Sequence, residues 1–274
     1  MAKEDEAASG DDEINAASMA APSLPKYLLV MTATIIPAVD AGVKRADPRL
    51  RLEDYKQALR YWLCYEHPAA ERILLLENSG ADLGELRAIA EDENPRGKPV
   101  EFLSIAGNEI PAGRNYGYNE MRMLDEGLAI SQLGRQTTHM IKVTGRLTFP
   151  DLGNALDRIG KPFELMVDCR KLGFPRRGFD ANTLLFACSH GFYDCVLRNS
   201  REEMNATDVR LLEHLIFRKV FPFKGRPGYY LRFPCNVEPV GYSGFKSRSY
   251  QSRGSALSRA VRAALRVVAP GYWY

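Results

Sequence analysis

No stretch of this chain approaches the ~20 apolar residues that span a bilayer, and its five cysteines, Cys64, Cys169, Cys188, Cys195 and Cys235, include no Cys-x-x-Cys pair. The bulk of the chain is therefore expected to be soluble. The odd cysteine number and the mostly apolar surroundings argue against zinc and disulfides, and for thiols in a reducing, cytoplasmic setting. His67, His139, His190 and His214 lack HxH and HxxxH spacing, so no metal triad is read from them. GxSxG, GKS and GxGxxG are also missing, which removes support for hydrolase and P-loop readings. The opening segment, MAKEDEAASGDDEINAASMAAPS, has neither a basic n-region nor an apolar stretch. It reads as a disordered acidic tail over residues 1–24, unlike a secretory or transit signal.

What is present is ordinary in bulk and uneven in distribution. With 274 residues, 45% apolar and 26% charged, the chain can bury a large core. Its net charge of +3 hides an asymmetry: no Asp or Glu follows Val240, whereas Lys246, Arg248, Arg253, Arg259, Arg262 and Arg266 do. Within SALSRAVRAALRVV, Leu257, Val261, Ala264, Leu265 and Val268 recur at helical spacing and three of the arginines share another side. Such a basic amphipathic helix is read first as packed on the core with a solvated arginine face; the other reading is attachment to an anionic membrane surface, which the aromatic ending GYWY strengthens. Aromatic residues are not interleaved with the basic ones along a groove, so nucleic acid is not the expected partner.

Between the tails, apolar runs alternate with amphipathic segments, the pattern of a mostly parallel α/β sheet with helices on both faces in one main domain, residues 25–240. Strands are predicted at 26–36, 71–77, 100–106, 139–147, 163–168 and 183–188, and helices at 51–65, 82–92, 119–131, 152–159 and 206–220. Residues 241–274 form the basic loop and terminal helix. Ligands of such sheets sit at the carboxyl ends of the strands. That edge is where ILLLENSGADLGEL places Glu77, Asn78, Ser79 and Gly80, a turn whose composition also suits a plain strand-to-helix connection.

Three polar strand ends occur in chain order: TATIIP, LLLENSGAD and AGRNYGYNE. This order resembles the nucleotide-binding half of GT-A glycosyltransferases, especially the large inverting family 2, over residues 26 to 220. ENSG, NYGYNE and KVTGR are also similar to bacterial surface-polysaccharide glycosyltransferases. Glu77, Ser79 and Asp82 stand where that family has an Asp-x-x-Ser-x-Asp turn. Gly113, Arg114, Asn115, Tyr116 and Gly117 stand where it has Ala-Arg-Asn-x-Gly. The resemblance implies a GT-A-like Rossmann-type fold, a nucleotide-sugar donor, and a glycan or lipid-linked acceptor in polysaccharide or lipopolysaccharide biosynthesis. A Rossmann-type methyltransferase is the other enzyme reading, weakened because TATIIPAVDAG is a poor glycine-rich loop.

A sugar nucleotide needs acceptors for its base or ribose and a cation for its diphosphate. Glu77 and Asn78, with Ser79 beside them, supply the first, and Thr32 and Thr34 can line the same pocket or serve as plain strand residues. Asn115 belongs to the donor side through the resemblance. Where metal-dependent members carry Asp-x-Asp, this chain has Lys142, Thr144 and Arg146, which points to a metal-independent transferase without cofactor. Asp168 is left as a lone alternative ligand. Ser243, Lys246 and Arg248, in GYSGFKSRSYQS, read as a lid over the diphosphate or as a flexible connector. For the base that deprotonates the acceptor the candidates are Asp208, which also suits a helix cap, and Glu213, whose apolar neighbours Leu212, Leu215 and Ile216 should raise its pKa.

Overall fold

The computed structural model describes residues 25–39, 42–171, 179–204, 212–245 and 247–251, with six further positions between 260 and 268. Seven strands form one sheet: β1 (Tyr27–Ala33), β2 (Ile73–Glu77), β3 (Val100–Ser104), β4 (His139–Thr144), β5 (Leu165–Lys171), β6 (Phe179–Ser189) and β7 (Tyr229–Tyr230). Their spatial order is β3-β2-β1-β4-β6-β5-β7. The pairs β1–β2, β1–β4, β2–β3 and β5–β7 are parallel, and β6 runs antiparallel between β4 and β5. Mostly parallel pairing was legible in the sequence; the reversal of β6 was not.

The central strands are buried on both sides, which is why they read as unbroken apolar runs. Along β1, Leu29, Met31 and Ala33 face one core while Leu28 and Val30 face the other. Helices α1 (Pro48–Cys64), α2 (Gly84–Asp92) and α4 (Leu152–Ile159) cover the first, through side chains such as Leu59, Trp62, Leu86 and Leu156. Helices α3 (Tyr116–Ile130), the single turn α5 (His190–Phe192) and α6 (Leu212–Val220) cover the second with Met121, Leu124, Phe192 and Leu215. The result is an α/β/α sandwich.

Local chemistry sets the helix ends. Asp47 accepts from the Arg49 amide at 2.8 Å and Pro48 occupies the first helical turn, so α1 begins three residues before the expected start at 51. Gly160, at φ +58°, closes α4 in the left-handed conformation. The amino-terminal half of β6, FDANT, carries too few apolar residues to read as a strand. It is held instead by pairing with β5, as in Cys169↔Ala181 and Arg170↔Asp180.

The five cysteines are free thiols; Cys169 and Cys188 are buried, Cys235 is half-buried, and Cys64 and Cys195 are exposed, so the apolar surroundings expected from the sequence hold for only part of the set. No helix among the described residues is long and apolar enough to cross a membrane. The acidic tail lies outside the described residues. Of the terminal basic helix only Ala260, Val261, Ala263, Ala264, Leu265 and Val268 are described, and they are helical. Val261 and Val268 are 42% and 80% exposed, so these two apolar side chains are not covered by the described core.

Candidate active site at the carboxyl edge of the sheet

Strand order reverses between β1 and β4, and a cleft of about 610 Å³ opens at the end of these two strands. This is the switch point at which open α/β sheets bind ligands. The carboxyl ends of β1, β2 and β4 contribute Thr32, Thr34, Asn78, Thr144 and Arg146. Because β6 runs the other way, it brings its amino-terminal residues Asn182 and Thr183 to the same edge. Arg51 and Tyr55 of α1, Tyr116, Asn119 and Glu120 of α3, and Glu213 of α6 form the walls, and Ser243, Gly244 and Phe245 close one side.

The turn ENSG divides its labour. Glu77 is fully buried, and its carboxylate accepts from the amides of Ile35 at 3.1 Å, Ser79 at 2.9 Å and Ala81 at 3.3 Å, and from the Ser79 hydroxyl. The Ser79 hydroxyl oxygen in turn accepts from the Ile36 amide at 3.0 Å. Both side chains fasten the loop after β2 to the loop after β1, and neither lines the cleft. Gly80 permits the tight return at φ +71°. Asn78 alone of the four faces the cleft, where its Oδ1 accepts from Thr34 Oγ1 at 2.7 Å. No described residue bonds to its Nδ2.

Beneath the cleft lies a buried polar layer on the α3 side of the sheet. Lys142, fully buried and absent from the cleft lining, forms an ion pair with Glu120 and donates to the Thr183 carbonyl at 2.6 Å. Thr32 donates to the same Glu120 at 3.3 Å. Thr183 donates through its hydroxyl to Glu213 Oε1 at 3.3 Å, while Glu213 Oε2 is buried with no hydrogen-bond partner among the described residues. Burial raises the Glu213 pKa above the ordinary glutamate value, and the nearby Glu120 carboxylate adds to the rise against the opposing hydrogen bonds. Burial likewise raises the pKa of Tyr116, whose ring lies 4.8 Å from that of Phe245.

Arg146 lies just beyond β4 and lines the cleft. Its Nε donates to the Tyr242 carbonyl at 3.1 Å, and among the described residues it has no carboxylate partner. The segment from Val240 to Tyr250 is pinned over this end of the cleft by the Val240–Thr148 bridge, by the Arg45 amide donating to the Gly244 carbonyl at 3.0 Å, and by Arg45 stacked 4.4 Å from the Tyr242 ring centre.

The remaining expected residues fall elsewhere. Asn115 caps α3 by accepting from the Gly117 amide at 2.9 Å and does not line the cleft. Arg248 is exposed, outside the lining, and accepts from the Ser243 amide through its carbonyl. Asp168 is buried in β5 and paired with Arg170 at 2.7 Å, away from the cleft. His190 bonds to Thr137 at 2.9 Å, also outside the lining. Asp208 and Lys246 lie outside the described residues. Sequence reasoning missed Arg51, Tyr55, Glu120 and Thr183 as cleft residues. Arg51 and Tyr55 share a face of α1 at i, i+4 spacing; this was the only signal, and it does not by itself distinguish a cleft from a core.

At the end of β4 stand Thr144 and Arg146 in place of paired acids; of the two carboxylates that line the cleft, Glu120 is paired with Lys142, and Glu213 keeps one oxygen without a hydrogen-bond partner among the described residues. Among the described residues no three His, Cys, Asp or Glu side chains converge to hold a metal.

No family description and no curated protein matches the chain. Among solved structures, an active-site mutant of LgtC is similar at 14% identity, over 74% of this chain and 71% of that one, with a TM-score of 0.44. The inositol-1-phosphate CTP transferase from T. maritima is similar at 13% identity over 72% and 82%, with a TM-score of 0.42. A 4-diphosphocytidyl-2C-methyl-D-erythritol synthase is similar at 10% identity over 88% and 99%, with a TM-score of 0.38. Likeness at these levels carries no activity, and the reading of the cleft rests on its own residues.

Proposed function

We propose that the chain is a GT-A-type glycosyltransferase that moves a sugar from a nucleotide-sugar donor to a glycan or lipid-linked acceptor, as in the assembly of bacterial surface polysaccharide, without a metal ion. One observation carries this reading: a carboxylate with an unengaged buried oxygen, Glu213, shares a cleft at the sheet's switch point with Arg146, a guanidinium without carboxylate partner among the described residues. Group transfer from a diphosphate needs both a base for the incoming hydroxyl and a cation for the departing anion.

In this reading Thr34 and Asn78 hold the nucleoside, with the Asn78 amide nitrogen as the available donor. The acceptor hydroxyl attacks the anomeric carbon and gives its proton to Glu213 Oε2. The bond from that carbon to the donor phosphate oxygen breaks, and its electron pair leaves with the nucleoside diphosphate. Arg146, with Nε fixed by Tyr242, presents its two terminal nitrogens to the departing phosphate. Lys142 acts one layer deeper, holding Glu120 in place. Glu77 and Ser79 hold the two loops that carry Thr34 and Asn78. The basic terminal segment, with Val261 and Val268 exposed, would keep the enzyme at an anionic membrane where a lipid-linked acceptor is found.

Calorimetry with UDP, GDP, CMP and their sugar conjugates tests the assignment. One nucleotide is expected to bind with undiminished affinity in excess EDTA, and Arg146→Ala should weaken the diphosphate on the order of 10- to 100-fold while sparing the nucleoside. No binding at millimolar concentration would remove the transferase reading, and binding lost in EDTA and restored by manganese would remove its metal-free form.

A further inference from the structure

Arg51 is 4% exposed, yet it lines the cleft. Its Nε donates to the Thr34 carbonyl at 2.6 Å, one terminal nitrogen to the Arg45 carbonyl at 3.3 Å and the other to the Tyr55 hydroxyl at 3.2 Å. All three acceptors are neutral. Of the two carboxylates just after it in sequence, Glu53 pairs with Lys56 at 2.6 Å, and Asp54 receives Arg45 on both oxygens, at 2.5 and 2.7 Å. Among the described residues Arg51 has no carboxylate partner. A guanidinium carries five N–H donors, so one remains on each terminal nitrogen after these bonds. A buried cation without a counter-ion is unfavourable, because desolvation is then uncompensated.

The surroundings hold this charge in one orientation. Tyr55 also accepts from the Thr34 amide at 2.9 Å, so the end of β1, Tyr55 and Arg51 form a closed set of bonds. Arg45, whose carbonyl takes one Arg51 donor, is tied through its own amide to Gly244, and Tyr242, two residues earlier, takes the Arg146 Nε. Two guanidinia without carboxylates thus meet the cleft from the α1 side and the β4 side of the same covering segment. No other charged pair in the described lining is left so open: Glu120 has Lys142, and Glu213 is biased towards its neutral form by burial.

We propose that Arg51 is a second phosphate-binding residue of the cleft, and that an anionic oxygen of the donor's diphosphate supplies the counter-ion its guanidinium lacks. This rests on the reading of the cleft as a nucleotide-sugar site. A diphosphate held from both sides is fixed in orientation as well as charge, so Arg51 selects for nucleoside diphosphates over nucleosides.

The experiment is calorimetric titration of the full chain with UDP, GDP, the matching nucleosides and inorganic pyrophosphate, repeated on Arg51→Gln and Arg51→Lys after circular dichroism has confirmed folding. Failure of the wild-type protein to bind any of these sinks the nucleotide reading itself. Given wild-type binding, Arg51→Gln is expected to lose on the order of 10- to 100-fold for the diphosphate and less than about 3-fold for the nucleoside, with Arg51→Lys between. Equal affinities in Arg51→Gln and wild type, or equal losses for nucleoside and diphosphate, overturn the proposal. If Arg51→Gln does not fold, Arg51→Lys decides by the same ratio. If neither variant folds, wild-type competition decides: pyrophosphate must displace the bound diphosphate, and its failure to do so overturns the proposal.

Discussion

Replacing Lys142 with Met separates a ligand contact from a residue that supports one. Methionine roughly fills the volume of the lysine stem, so the perturbation is loss of the ammonium and little else. The structure shows what that loss strands: the Glu120 carboxylate, left beside an apolar group, and the Thr183 carbonyl, left without its donor at 2.6 Å. Removing one partner of a fully buried pair costs about 3 to 5 kcal/mol. Glu120 keeps 22% exposure and can rehydrate in part, which places the expected loss nearer ~3 kcal/mol and the fall in melting temperature on the order of 10 °C. Adding Glu120→Gln removes the stranded charge, so the double variant should melt above the single one, with a coupling of ~1 to 3 kcal/mol in the thermodynamic cycle. Chemical denaturation and calorimetric titration with a nucleoside diphosphate give both readouts. Diphosphate affinity should fall several-fold at most, by displacement of Glu120 and Thr32, well short of the loss in Arg146→Ala. A Lys142→Met protein that melts within about 2 °C of wild type and loses as much affinity as Arg146→Ala would refute the buried placement and make Lys142 a direct phosphate ligand.

Glu213→Gln should abolish transfer by about 10²- to 10⁴-fold. Since burial raises the Glu213 pKa in the folded protein, the charged form destabilises the native state at pH above that value. The Gln variant should therefore melt higher than wild type near neutral pH, and the gap should close as pH falls below the ordinary glutamate range. Wild-type turnover should rise with pH as Glu213 ionises, and a rise that persists in the Gln variant would assign it to another group. Gly145→Ala would place a Cβ 2.8 Å from the Thr32 carbonyl oxygen and 3.3 Å from Met31 Cβ, forcing β1 and β4 apart under the cleft. It should cost about 1 to 3 kcal/mol and weaken nucleotide binding, and unchanged melting would contradict the close approach. Deleting residues 252–274 removes Arg253, Arg259, Arg262 and Arg266 with the exposed Val261 and Val268. Co-sedimentation with anionic vesicles should drop, and equal sedimentation of the intact and shortened proteins would place the segment in another role.

Five of the six legible strands were so because burial on both faces writes an apolar run into the sequence; β3, half-buried at the sheet edge, was legible from VEFLSIA alone, and the seventh strand was not legible because Tyr229–Tyr230 is two residues long. The start of α1 was written locally in Asp47-Pro48. The direction of β6 was not, since antiparallel and parallel strands with equal burial have equal composition. The cleft shows a similar division. Alternation correctly puts Lys142 and Thr144 on one face, but whether that face meets ligand or protein depends on Glu120, which arrives on α3 and belongs to a different stretch of chain. Glu77 has the same limitation: an acid at the end of a strand reads alike whether its acceptors serve a ribose or the amides of Ile35, Ser79 and Ala81. Arg51 was missed because helix periodicity marks an inward-facing side without saying whether a core or a cavity lies behind it.

The carboxylate of Glu77 has a consequence for kinetics. By accepting amides from two successive loops it makes Thr34 and Asn78 parts of one rigid edge before any ligand arrives. The ordering entropy of those loops is then settled during synthesis of the native fold, and not again at each encounter. Amides of Ile35, Ser79 and Ala81 should resist hydrogen exchange as strands do, although they lie in turns. Nucleoside capture at this edge should accordingly proceed in one step, without a slow isomerisation, and any sluggish phase in binding will belong to the opposite side of the cleft, under Tyr242 and Phe245.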